Sequence, residues 1–452
     1  MQDGLMKSVS GIRGIVGESL TPELILKVAA AFARYCRYGT VVVGRDSRIT
    51  GEAIAGMTES ALALYGCDVV DLGIVPTPTV QVMVEHLGAS GGIVVSASHN
   101  PIEWNAFKLI GKSGTFLGQR EMDKFFALME RNHPSKKWNS TGRILSLTDT
   151  ANIHIERVLK TVDVEKIARR RFGVALDSVN GAGSLITQDL LSRLGCDIIP
   201  VHCEITGTFP RGAEPVAENL KDLCAIVKES GADIGFAQDP DADRLAIVDE
   251  RGIPIGEEYT LALVAEHLLS KKPGRVVVNL STTRAIEDIA KRHGSPFTRT
   301  RVGEINVVER MRKLGARIGG EGNGGVIAPD VHLGRDSLAG ISYVLEMMAE
   351  RGENVSRIVA DLPRYIMKKG KVALPPGADT PSILSGIRNK FGKERISNID
   401  GLRIDFVKDG PFRGGWVHLR SSNTEPIFRI IVEGRDENHA GEIYRHFSGM
   451  FS

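Results

Sequence analysis

Short apolar runs punctuate the chain: Val41-Val42-Val43, Ile93-Val94-Val95, Val174-Ala175-Leu176 and Val276-Val277-Val278. Each is rich in β-branched residues and closes on glycine or a small polar residue, which is the signature of a buried strand. Longer amphipathic stretches lie between them. Thr21-Pro22-Glu23 reads as a helix start, with Thr21 as cap and proline in the first turn, and predicts a helix to about Tyr38. Further helices are expected over 51–65 and 78–87, with a strand over 68–72 between them. Strand and helix alternating in this way predict a mostly parallel sheet with helices on both faces.

The pattern then recurs. A loop over 177–184, a helix over 185–194 and a strand at Gly195-Cys196-Asp197-Ile198-Ile199 follow Val174–Leu176, and Gly66-Cys67-Asp68-Val69-Val70 resembles that last stretch. Val276–Val278 opens a third copy, with its loop over 279–283 and a helix over 284–291. Such self-similarity marks repeated units. Polar residues over 133–150 and 250–258 suit joints. Beyond about Lys369 the texture changes to alternating runs over 402–406, 415–419 and 427–432, which predict an antiparallel sheet, closed by a helix over 437–451. The expectation is an α/β chain: three related mixed-sheet α/β domains over 1–150, 151–254 and 255–368, and a smaller C-terminal α+β domain over 369–452.

Length changes little in this picture: 452 residues suit several domains rather than one core. A net charge of +2 supplies no global field toward nucleic acid, and no apolar run reaches the ~18 residues of a membrane span. The five cysteines form no C-x-x-C pair, which argues against a zinc site or disulfide framework. The first residues lack the apolar core of a signal peptide. No nucleic-acid or membrane partner is expected, and a cytoplasmic protein is.

Chemistry first shows in Gly91–Lys108, GGIVVSASHNPIEWNAFK. Pro101 drives Asn100 away from helical geometry, so the chain turns after Val95. Ser98 and His99 then stand just past the carboxyl end of a strand, where open α/β sheets keep their chemistry. A serine-rich turn capping its own backbone is the plain alternative. The second signal is Asp239-Pro240-Asp241-Ala242-Asp243-Arg244. Three alternate aspartates can converge on one hard cation. A helix-loop-helix calcium site, for which Glu250 stands at the last ligand position, is opposed by Arg244 at the glycine position and by strand-like flanks. A solvated acidic turn is the other alternative; Mg²⁺ on oxygen ligands is favoured. Gly320-Glu321-Gly322-Asn323-Gly324 is a glycine-rich loop with one carboxylate. Arg420-Ser421-Ser422-Asn423-Thr424, with Arg429 nearby, reads as an anion cradle or as a polar turn.

Taken together and in order, Ser10-Gly11-Ile12-Arg13-Gly14, Gly44-Arg45-Asp46-Ser47-Arg48, Ser96–Pro101, Asp239–Arg244, Gly320–Gly324 and Arg420–Pro426 resemble the α-D-phosphohexomutase superfamily over essentially the whole chain. The resemblance implies four domains around a central cleft and a reversible exchange between hexose 1-phosphate and hexose 6-phosphate. It implies Ser98 as phosphoserine, primed by a hexose 1,6-bisphosphate, with Mg²⁺ held by that phosphate and by Asp239, Asp241 and Asp243. Arg13, Lys108 and Arg244 would add positive charge around the phosphoryl group. His99 and Lys108 would be proton carriers, His99 equally a loop-orienting residue through a backbone hydrogen bond. Glu321 and Asn323 would hold the sugar, and Arg420, Ser422, Asn423, Thr424 and Arg429 its second phosphate.

The chain departs from the common family pattern at Asn323, Gly325 and Ala106, where serine, histidine and glycine are usual. Glu304 stands where glucosamine-type members carry an acid, and a carboxylate there favours a cationic amino sugar over glucose or mannose phosphates, the alternative substrates. A plain metal-dependent phosphatase would not need Arg420–Thr424. A non-catalytic sugar-phosphate sensor would not need Ser98 and all three aspartates. The implied partner is a small hexose phosphate, and the implied assembly a monomer or homodimer.

Overall fold

Val41–Val43 and Ile93–Val95 are fully buried because both faces of their sheet are covered, which is why these runs are continuously apolar. In the computed structural model, which describes residues 4–373, 379–421 and 427–451, they lie in a seven-stranded sheet. Its strand order is Met6–Ser8, Gly11–Ile15, Trp104–Gly111, Gly91–Val95, Val41–Arg45, Val69–Ile74, Ile144–Ser146. The expectation of a mostly parallel sheet is corrected: three pairings are parallel and three antiparallel. The turn at Pro101 explains this. It returns the chain as Trp104–Gly111 directly beside Gly91–Val95, with Val95 opposite Phe107, and so short a connection admits only a hairpin. Thr21 caps the helix Pro22–Tyr35 as expected. That helix stops short of Tyr38 because Arg37 and Tyr38 take left-handed backbone angles.

Two four-stranded sheets follow, in the orders Leu245–Val248, Ile234–Gln238, Gly173–Asp177, Asp197–Val201 and Phe297–Thr300, Val276–Asn279, Ile318–Glu321, Gly325–Ile327. Each is parallel apart from one terminal hairpin. One apolar cluster runs through both, from Phe236 and Leu245 through Leu261 to Leu338 and Val344. The last sheet is wholly antiparallel, in the order Ile366–Ala373, Ile427–Gly434, Trp416–Ser421, Leu402–Asp405, Arg395–Ser397, and packs on the closing helix Glu437–Ser448.

One topological rule places the chemistry. In each of the first three sheets a parallel strand hands over to an antiparallel neighbour, and the chain between them carries a stretch singled out above: 96–103, 239–244 and 322–324. Residues 422–426, between the last two strands of the fourth sheet, lie outside the described residues. Among the described residues no helix is long and apolar enough to cross a membrane.

Candidate active site

Ser98 is 2% exposed and sits at φ +52, a left-handed conformation that an L side chain adopts at a cost of about 1–3 kcal/mol. The backbone is held there by its surroundings. Arg48, fully buried, donates to the Ser98 carbonyl at 2.8 Å and the Asn100 carbonyl at 2.6 Å. Its own charge is met by Asp46, which also accepts from Ser96 Oγ at 2.6 Å. Ser96 Oγ in turn accepts the Ser98 amide at 3.0 Å. The Gly44–Arg48 motif is thus the brace that aims Ser98. Burial of Asp46 pushes its carboxyl upward, Arg48 opposing it.

The hydroxyl of Ser98 donates to Asp239 Oδ2 at 2.7 Å. Asp239, Asp241 and Asp243 are all buried, with ligand oxygens within 4.8 Å of one another. Their loop repeats the strain of the serine loop, with Ala242 at φ +53. Asp239 Oδ1 closes it by accepting the Asp243 and Arg244 amides at 3.1 Å each. Thr77 and Lys108 both donate to Asp241, and Lys108 reaches Asp243 at 3.3 Å. Burial raises the Asp239 carboxyl well above the usual range, with Asp243 and Asp241 adding to it. At Asp241 burial acts the same way, but Lys108 and Thr77 outweigh it and hold the carboxyl low. Asp241 Oδ1 and Asp243 Oδ1 are buried without a hydrogen-bond partner. Three packed carboxylates with unused oxygens fit a hard divalent cation, and the triad can hold one. The flanks are strands, so the helix-loop-helix alternative falls; Glu250 instead accepts from Ser356.

Around this centre is a cleft of about 490 Å³ lined by residues from all four sheets' units. Arg13 lies on Gly11–Ile15 and donates to Asn100 Oδ1 at 2.8 Å. Gly11 lets that strand approach: a Cβ there would lie 2.1 Å from the Phe107 carbonyl oxygen. His99 Nδ1 is 3.4 Å from Ser98 Oγ. Burial, reinforced by Arg244 and Arg13, depresses its pKa to about 2, so the ring is neutral. Among the described residues the ring has no hydrogen bond to a backbone group. Arg244 pairs with Glu214 at 2.8 Å.

On the opposite wall, Glu321 accepts from Asn279 at 2.8 Å and from the Gly303 amide at 2.9 Å. Gly324, at φ +83, lets the loop pass over Leu245, whose carbonyl oxygen a Cβ would meet at 2.4 Å. Glu304 starts the helix Glu304–Leu314 and faces the cleft, as do Glu258 and Asn323. Arg420 and Arg429 are cross-strand neighbours at the cleft's edge, Arg420 donating to Asp400 at 3.0 Å. Ser422, Asn423 and Thr424 lie outside the described residues.

Sequence reasoning missed the hub of the site. Arg335 is 8% exposed and pairs with Asp243 at 2.6 Å, Glu304 at 3.0 Å and Glu321 at 3.0 Å, joining the aspartate loop to the opposite wall. Burial lowers a guanidinium's affinity for its proton, but these carboxylates raise it well above the ordinary value. A signal was available: Gly334-Arg335-Asp336-Ser337 repeats Gly44-Arg45-Asp46-Ser47. In both copies the aspartate accepts the amide two residues on, at 3.0 Å and 2.9 Å. Thr77 and Glu258 were also missed; neither lies in a motif.

Comparison with known proteins follows the same division. Residues 5–136, 152–252 and 257–365 match family models described as phosphoglucomutase/phosphomannomutase alpha/beta/alpha domains I, II and III, and 371–447 the C-terminal domain. A phosphoglucomutase/phosphomannomutase of Thermococcus kodakarensis is 40% identical, over 97% of this chain and 96% of that protein. A probable phosphoglucosamine mutase of Methanopyrus kandleri is 35% identical, over 97% and 96%. The crystal structure of a phosphoglucomutase/phosphomannomutase family protein from Burkholderia thailandensis, 27% identical, superposes with a TM-score of 0.84 over 98% of this chain and 97% of that one.

Proposed function

The chain belongs to the phosphoglucomutase/phosphomannomutase family, phosphohexomutases that move phosphate within a sugar, and from that premise we propose that its substrate is glucosamine phosphate. The observation that carries the sugar is the wall formed by Glu304 and Glu258. Burial raises Glu304 to about 7 despite Arg335, and raises Glu258 to about 8 despite Lys369. Both acids face the cleft with their burial only partly offset by Arg335 and Lys369, and a 2-ammonium group adds positive charge there. A neutral 2-hydroxyl offers no such relief, so glucose and mannose phosphates are the second reading, supported by the likeness to the Thermococcus phosphoglucomutase/phosphomannomutase.

In this reading Ser98 carries a phosphoryl group, first loaded from a hexose 1,6-bisphosphate. The sugar hydroxyl attacks that phosphorus; the bond from phosphorus to Ser98 Oγ breaks as the bond to the sugar oxygen forms. The bisphosphorylated sugar turns over, and its other phosphoryl group returns to Ser98. Asp239, Asp241, Asp243 and the Ser98 phosphate would hold a Mg²⁺ ion, which would supply charge neutralisation for the phosphoryl group. Lys108, held charged by Asp241 and Asp243 against the burial that would discharge it, gives a proton to the departing Ser98 oxygen and takes back the one that the attacking sugar hydroxyl releases. Arg13 and Arg244 add fixed positive charge. His99, neutral, is a hydrogen-bonding group for the substrate rather than a proton store. Glu321 and Asn323 hold sugar hydroxyls, and Arg420, Ser422, Asn423, Thr424 and Arg429 hold the phosphate that is not moving. The five unpaired cysteines support residence in a reducing cytoplasm; a monomer or homodimer is the assembly we infer.

The test is a phosphorus NMR time course with Mg²⁺ and a trace of glucose 1,6-bisphosphate, run on the 1-phosphates of glucosamine, glucose and mannose. Preferred conversion of the glucosamine ester is expected. Equal or better conversion of the other two would overturn the sugar assignment.

A further inference from the structure

A second cluster of ligating side chains lies outside the cleft. Thr79 is on the helix Thr77–His86, His154 on the helix Thr150–Leu159, and His332 and Asp336 precede the helix Ser337–Arg351. All four side chains are buried, and none of them lines the cleft. His154 Nε2 is 2.9 Å from Asp336 Oδ2, and His332 Nε2 is 3.4 Å from the same oxygen. The two imidazoles meet edge to face with centroids 5.9 Å apart.

His332 has the feature that a merely structural cluster lacks. It is 4% exposed, yet among the described residues Nδ1 has no hydrogen-bond partner and Nε2 none of good geometry, its nearest approach being the 3.4 Å to Asp336. Poorly satisfied nitrogens on a buried ring are costly, and a ligand that they could bind would relieve that cost. Gln81, 1% exposed, adjoins it with both amide atoms also unpartnered. The two crowd Gly334, where a Cβ would lie 2.3 Å from Gln81 Oε1 and 2.7 Å from His332 Cε1. We propose that His154, His332 and Asp336 form a structural binding site for a divalent metal of the zinc class, with Gln81 Oε1 or a water completing it.

The geometry fits that class. Zinc–nitrogen and zinc–oxygen bonds of about 2.0–2.2 Å set tetrahedral donor spacings of about 3.3 Å, close to the His332–Asp336 separation. Two imidazoles and a carboxylate suit a borderline cation, whereas the all-oxygen aspartate triad suits a hard one. Thr79 Oγ1 lies 2.9 Å from His154 Nδ1, so it can accept the Nδ1 proton and leave Nε2 free for the metal, the usual outer partner of a ligating histidine. Asp336 Oδ1 is occupied by the Leu338 and Ala339 amides, which orients Oδ2 into the cluster. A metal here would tie three helices from different parts of the chain together, one residue away from Arg335.

The test loads the full-length protein with zinc sulfate in excess MgCl₂, removes free metal by gel filtration and counts zinc by mass spectrometry. A single zinc per chain is expected, with an X-ray absorption spectrum showing imidazole and oxygen ligands without sulfur. Asp241→Asn should keep it, His332→Leu should lose it, and Thr79→Val should weaken it by about 10–100-fold. Zinc that is absent from the wild type, or that follows Asp241 rather than His332, overturns the proposal. Should His332→Leu fail to fold, the wild-type spectrum decides: sulfur ligands, or no imidazole scattering, overturns it equally.

Discussion

Replacing Arg335 by methionine should destabilise the protein strongly at alkaline pH and much less at acid pH. The guanidinium is buried and neutralises Asp243, Glu304 and Glu321 at 2.6–3.0 Å. Methionine preserves much of the side chain's bulk and removes the charge. Breaking a buried ion pair from one side costs about 3–5 kcal/mol, because the abandoned carboxylates remain in a low-dielectric interior. Arg335 lies just before the helix Ser337–Arg351, whose Leu338 and Val344 belong to the apolar cluster shared by the second and third sheets. For a cooperative unit of that size, 1 kcal/mol shifts the melting temperature by about 2–4 °C. The expected loss is therefore roughly 6–20 °C near pH 8.

The pH dependence follows from linkage. Glu304 already lies at about 7 beside Arg335, above its ordinary value of 4.5, and loses the opposing charge in the variant. A carboxyl whose folded pKa is raised keeps its proton while the unfolded chain ionises. Its contribution is full below about 4.5 and is lost as pH rises toward the folded pKa. The deficit of Arg335→Met should thus shrink toward pH 5, where Glu304 takes up its proton. Arg335→Lys should recover part of the loss, since one ammonium cannot span three carboxylates. Differential scanning calorimetry of the three proteins at both pH values reads this directly. A deficit that is the same at pH 5 and pH 8, or below about 2 °C at pH 8, would refute the charge argument.

Ser98→Ala should abolish transfer of radiolabelled phosphate from glucose 1,6-bisphosphate to the protein and leave the melting temperature within a few degrees, since Arg48 and not the hydroxyl braces the loop; label retained on the variant would put the acceptor elsewhere. Asp241→Asn should weaken Mn²⁺ binding, followed by electron paramagnetic resonance, by at least tenfold, because it removes one of three clustered carboxylates; unchanged affinity would remove the triad from metal binding. The preference for glucosamine phosphate over glucose phosphate, measured as a ratio of kcat/KM, should rise from pH 6 to pH 8 as Glu304 and Glu258 ionise at about 7 and about 8; a flat ratio counts against both. Arg420→Ala should raise KM by about 10–150-fold with a smaller change in kcat, as expected for one charge-assisted bond to a phosphate that does not react; a loss confined to kcat would contradict that role.

The chain by itself determined the buried apolar strands and the loops that bear the chemistry. Val41–Val43, Ile93–Val95 and Val276–Val278 are buried on both faces, so their composition alone identifies them. Ser98, Asp239, Asp241 and Asp243 lie in short segments whose proline and alternating carboxylates are local facts. Even the caps are local: Thr21 and its proline start a helix whatever the rest of the chain does. What only the tertiary structure decided is partnership across distance. The antiparallel return of Trp104–Gly111 depends on which strand edge was free. Lys108 becomes an ion-pair partner of Asp241 and Asp243 only because the first and second units face each other. Arg335 reads in sequence as an ordinary loop cation, and its three carboxylates come from segments 14, 31 and 92 residues away. Backbone preference acts between neighbours in the chain, while charge acts between neighbours in space, and the site is built from the second.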